Sequence, residues 1–126
     1  MLRICVALAI SAMAVHAAIA QTGNAPVNEA VLKDLAPTGT LRAAINYGNG
    51  VLAQRGANEE DARGISADLA RELAKRLGVP LRFVGFDAAG QVFDALANKD
   101  KAKAWDIAFL AIEPVRAAEI AFTAPY

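Results

Sequence analysis

The sequence predicts an α/β fold in which a parallel sheet carries helices on both faces. Two observations lead there: segments alternate in the order strand, helix, strand, helix, strand, and the strand segments are almost continuously apolar. A third sets the scale, since 126 residues with 56% hydrophobic side chains and zero formal net charge suit one small globular domain. No basic field is present to attract a polyanion, so nucleic acid is not an expected partner.

Residues 1–20 differ from the rest. Arg3 gives a short positive start, residues 4–19 are nearly all apolar, and Ala18-Ile19-Ala20 is a small-x-small cleavage site, so a signal peptide and a periplasmic destination are expected. Against a membrane anchor, Ser11 and His16 interrupt a stretch already short of the roughly 20 apolar residues a spanning helix needs. Cys5 lies before the apolar run rather than after it, which argues against lipidation. Cleavage would remove Arg3, Cys5 and His16, leaving one more acidic than basic side chain. The remainder has no disulfide, thiol nucleophile, histidine base or ordinary zinc site, so no metal or cofactor is expected and most enzyme classes are disfavoured. A chain without cysteine also fits an oxidising compartment.

After the cleavage site, residues 21–27 have turn-forming composition and are expected to form a flexible leader. Asn28 is placed to cap a short helix with Val31, Leu32 and Leu35 at helical spacing, ended by Pro37 and Gly39. Residues 41–45 (LRAAI) predict a buried strand between glycines. Residues 46–63 then form a long loop with three glycines and the acidic run Glu59-Glu60-Asp61, either a functional loop or a solvated insertion.

Residues 66–77 predict a helix capped by Ser66, with Leu69, Leu73 and Leu77 as its buried face and Gly78 and Pro80 as its stop. Residues 81–84 (LRFV) give a second strand. Residues 88–97, with Val92, Phe93 and Leu96, give a further helix, and residues 106–111 (DIAFLA) a third strand. Ligands of open parallel sheets sit beyond the carboxyl ends of the strands where the order reverses. Residues 46–49, 86–89 and 110–116 are therefore the candidate site stretches, with Asn46, Asn49, Ala89, Leu110 and Ala111 among them.

The segment AFLAIEPVRAAEIAFTAPY, residues 108–126, follows the third strand and resembles the family 3 solute-binding proteins, the group that includes polar amino-acid binding proteins. Ile112, Pro114, Arg116, Glu119, Phe122, Pro125 and Tyr126 fall in register with that family's pattern. Upstream, residues 38–48 (TGTLRAAINYG) and 64–84 (GISADLARELAKRLGVPLRFV) are similar to its first strand and first helix-strand unit. The resemblance implies the first lobe of a type II periplasmic-binding-protein fold, incomplete over residues 28–126, because the second lobe and the returning strands would follow Tyr126. It implies a monomer that presents a small solute to an ABC permease, with weak or absent binding in the lobe alone. A periplasmic cyclohexadienyl-type dehydratase or a sensor input domain of the same fold is the alternative.

In that family the arginine matching Arg116 reaches the substrate carboxylate, and a planar guanidinium suits this because it can give two parallel charge-assisted hydrogen bonds. Pairing with Glu113 or Glu119 is the alternative for Arg116. Pro114 suits the first turn of a short helix that would hold it. Two positions depart from the family: Ala111 stands where Thr or Ser is common and removes a side-chain contact, and Glu113 stands where Thr is common and adds a negative charge. Tyr47 and Phe86 offer apolar walls or else core packing, and Asn46 and Asn49 offer hydrogen bonds or else turns. Trp105 reads as a packing residue, residues 99–103 (KDKAK) as a solvated loop, and Gly48-x-Gly50 is too short to indicate nucleotide binding.

Overall fold

The computed structural model describes residues 26–97 and 100–125. The expected signal peptide and residues 21–25 of the expected leader lie outside the described residues. Val27, the last residue of that leader, packs against the cluster of Leu41, Ala74 and Leu77. Helix α1 (Glu29–Leu35) starts where the sequence places it, because the Asn28 side-chain oxygen accepts the Ala30 N–H at 2.8 Å. Its Leu32 and Leu35 lean on the same cluster.

Strands β1 (Leu41–Asn46), β2 (Leu81–Phe86) and β3 (Ile107–Ala108) form one parallel sheet in the order β2-β1-β3. Leu41 pairs with Leu81 and Asn46 with Phe86 along the β1–β2 ladder, while Ala43 and Ala44 pair with Ile107 and Ala108 on the other side. The two-residue alternation of strands then sorts side chains to opposite faces. Ala43, Ile45 and Phe83 meet Ala67 and Ala70 of helix α2 (Ile65–Leu77). Ala44, Val84 and Phe86 meet Val92 and Ala95, at and just after helix α3 (Ala89–Asp94). The sheet is thus covered on both faces, as the apolar strands require.

Four local expectations are corrected. Ser66 does not cap α2: the cap is Gly64, and Ser66 is buried inside the first turn with its N–H on the Leu52 carbonyl at 3.1 Å. Gly64 takes this role because its φ is +101° and a Cβ there would lie 2.6 Å from the Leu52 oxygen, a conformation and an approach that only glycine tolerates. The buried stripe of α2 is Ala67, Ala70, Ala74 and Leu77, whereas Leu69 is exposed and Leu73 half-buried. Small side chains let the helix lie close over Phe83 and Ile45, and the leucines are left at the margin. The third strand is shorter than its apolar run. Phe109 packs on the α2-side cluster and Leu110 on the α3-side cluster, so burial on both faces accounts for the apolar pattern without a ladder beyond Ala108. The helix expected over 88–97 ends at Asp94, with Leu96 exposed beyond it.

The long connection from β1 to α2 is ordered by its own bonds. Gln54 and Arg63 exchange backbone hydrogen bonds of 2.9 and 3.0 Å, and Asn58 caps a 3₁₀ turn at Glu59–Asp61. Ala53 and Ala62 are buried in the α2-side core. Arg71 of α2 holds the loop from below, donating to the Ala62 carbonyl at 2.6 Å and lying 5.1 Å from the Phe83 ring centre. This loop is structural packing rather than a solvated insertion.

Candidate functional site

Chain order β2-β1-β3 makes β1 the central strand, where the connections reverse direction, so a ligand site is sought at its carboxyl end. That end divides into two parts, one between β1 and β2 and one beyond β1 and β3.

The β1–β2 part is closed. The Tyr47 N–H donates to the Phe86 carbonyl at 2.8 Å, and the Tyr47 ring lies across Gly85, where a Cβ would come within 2.8 Å of a ring carbon. Above the ring, 4.2 Å from its centre, sits the Arg55 guanidinium, which is also paired with the Asp87 carboxylate. Burial pushes the Tyr47 phenol pKa up, partly offset by the Arg55 charge. Asn46 and Asn49 spend their side-chain oxygens on turns, accepting the N–H groups of Gly48 at 3.0 Å and Val51 at 3.3 Å. Phe86 is 6% exposed and belongs to the α3-side core. Ala89 is half-buried as the first residue of α3. Next to them lies an open depression of about 320 Å³, lined in part by Phe86, Asp87, Gln91, Asp94 and Lys103.

Lys103 corrects an expectation. It belongs to the run read as a plain solvated loop, yet its Nζ donates to the Gly85 carbonyl at 3.2 Å and lies 5.4 Å from the Phe86 ring centre. Sequence reasoning also missed Arg55 and Asp87, because nothing local in a Gly-rich loop marks an arginine that stacks on a tyrosine eight residues earlier. Trp105 is the packing residue expected, with its indole N–H on the Val92 carbonyl at 2.9 Å.

The second part carries Arg116. Leu110 is half-buried against the α3-side core and Ala111 is exposed. The four-residue helix α4 (Pro114–Ala117) opens with Pro114 in its first turn, as expected. Its Arg116 side chain is 13% exposed and lies 3.4 Å, Nη1 to Oε1, from Glu113. Nη1 also donates to the Ala111 carbonyl at 3.2 Å. Nε and Nη2 make no hydrogen bond to the described residues. The local pairing with Glu113 is therefore present and leaves two guanidinium nitrogens for another acceptor. No hydrogen bond, ion pair or ring contact among the described residues joins this part to Tyr47, Asn46 or Asn49.

Residues 52–126 match the bacterial extracellular solute-binding proteins, family 3, which is more than half of the chain. The chain belongs to that family. The match takes in α2, β2, α3, β3 and the Arg116 segment, and leaves β1 with Asn46, Tyr47 and Asn49 upstream of it. Searches of curated proteins and of solved structures returned no significant match. The parallel α/β arrangement of this solute-binding protein is consistent with part of the periplasmic-binding fold. Among its described residues, no helix is long and apolar enough to cross a membrane and no group of side chains is arranged to hold a metal ion.

Proposed function

We propose that this family 3 protein is the extracytoplasmic solute-recognising component of an ABC importer, delivering a small polar or anionic, amino-acid-like solute to a membrane permease. The observation that supports it is Arg116, a guanidinium held mostly out of water just past the central strands, pinned through one nitrogen and with two nitrogens unused. A planar fork in that state is suited to a carboxylate, because a charge-assisted bidentate contact forms with little further ordering of the side chain. Leu110 and Ala111 would supply the apolar floor and Tyr47, Asn46, Asn49, Phe86 and Ala89 the opposite wall, a mostly apolar lining with a few polar groups. Binding rather than catalysis is the reading, and export through a cleaved signal peptide places it in the periplasm. All of these residues lie on one lobe, so contacts come from one side and weak binding is expected.

The test is a thermal-shift screen of the purified chain against amino acids, amines and organic acids at high concentration. A solute that binds the native state raises the unfolding midpoint. Arg116→Ala should remove the shift given by any carboxylate and leave the midpoint without ligand nearly unchanged. A carboxylate whose shift survives that substitution would falsify the assignment.

A further inference from the structure

Glu113 occupies the N-cap position of α4, where an acidic side chain commonly bonds a free backbone N–H, yet it makes no such bond. Its carboxylate reaches three residues along the chain to the Arg116 Nη1 at 3.4 Å. The two partners are unequally exposed, with the Arg116 side chain at 13% and Glu113 at 48%. The Ala111 carbonyl fixes the same nitrogen from the protein side. A carboxylate arriving at Nε and Nη2 therefore comes within a few ångströms of a second carboxylate that already shares the cation.

We propose that Glu113 is a specificity-determining residue, a counter-charge that disfavours solutes bearing only negative charge and favours those with a cationic group beside their carboxylate. This rests on the site proposed above and narrows its solute class. A zwitterion sets its carboxylate on Arg116 and its ammonium near Glu113, so the four charges alternate in sign and neither carboxylate is left crowded. A simple anion must either tolerate Glu113 or push it into solvent. Because Glu113 is half exposed and its contact is long, that displacement is possible, and the discrimination expected is moderate. It corresponds to about one charge-assisted hydrogen bond, on the order of tenfold in affinity.

Glycine and glycolate separate the contributions, since they share a carboxylate and nearly the same shape while only glycine carries an ammonium. Each is titrated into the purified chain at neutral pH, following the Arg116 Nε–H resonance and neighbouring amides by NMR, for the wild type, Glu113→Gln and Arg116→Ala. Amides near Arg116 report on the variant that lacks the guanidinium. The wild type is expected to bind glycine about tenfold more tightly than glycolate. Glu113→Gln brings the ratio close to one, chiefly by strengthening glycolate, and Arg116→Ala abolishes both responses. If the ratio is unchanged in Glu113→Gln while Arg116→Ala still abolishes binding, the role given to Glu113 is wrong and the solute site stands. Responses that persist in Arg116→Ala, or no response to either probe in any variant, overturn the site and this inference with it.

Discussion

Asp106 shows how one side chain fixes an element. It is 3% exposed and takes three donors from Arg42: the backbone N–H at 2.8 Å, Nε at 2.9 Å and Nη2, while its own N–H bonds the Arg42 carbonyl. The hydrogen bonds from the guanidinium to this carboxylate hold the Arg42 pKa above its already high value despite partial burial. Asp106→Ala leaves a largely buried guanidinium and an N–H unpaired, so we expect a loss of about 3 kcal/mol in urea unfolding. The double variant Arg42→Met/Asp106→Leu should recover only part of it, because the Arg42 N–H still lacks its acceptor. A loss under about 0.5 kcal/mol in the single variant would mean that water replaces the pair at little cost. Asp61 gives a pH prediction. The Ala57 N–H, then Arg63, hold its carboxyl below the usual range. With the folded pKa lowered, its contribution is complete above the ordinary carboxylate pKa and is lost as pH falls through the lowered value. The Ala57 amide should therefore titrate in acid by NMR, and the transition should vanish in Asp61→Asn. The same titration in that variant would place its origin elsewhere.

Among the elements, α2 separates what apolar spacing specifies from what it does not. Leucines every fourth residue correctly indicate a helix, but the face against the sheet is decided by how closely the backbone must approach, and Ala67, Ala70 and Ala74 allow that approach. Ala70→Leu is expected to cost about 2 kcal/mol by overpacking against the sheet. Leu69→Gln, at a position 41% exposed, should change stability by less than about 0.5 kcal/mol. Circular dichroism melts of both variants check the pair, and the reverse order of effects would restore the leucine face. The Asn28 cap, the three strands and the Pro114 turn were legible because each is written in neighbouring residues. Arg55 on Tyr47 and Lys103 on the Gly85 carbonyl were not, since both depend on chain segments brought together only by the sheet. Arg116 was legible through a family pattern, and its shared hold on Ala111 and Glu113 came from the coordinates.

For the whole molecule, the sheet is unevenly secured around its central strand. The β1–β2 ladder runs the full length of both strands, from Leu41 opposite Leu81 to Asn46 opposite Phe86, and is continued by the Leu41 and Tyr47 N–H bonds to Pro80 and Phe86. The β1–β3 ladder spans two residue pairs, and every residue from Ala104 to Leu110 is only half-buried. Opening free energies follow such differences in burial and pairing, so β3 and the segment it carries should separate before β1 and β2 do. Native-state hydrogen exchange is expected to give the Asp106 amide a lower opening free energy than the Leu41 and Tyr47 amides. Asp106→Asn should lower that of residue 106 further while leaving Leu41 close to its wild-type value. Leu110 to Arg116 hang on this less secured strand, whereas Tyr47 and Arg55 sit on the tightly paired one. A solute that engages Arg116 should then raise protection at residue 106 more than at Leu41. Equal protection at all three amides, in the free chain and with solute, would show that the sheet opens as one unit and that its two edges are equally firm.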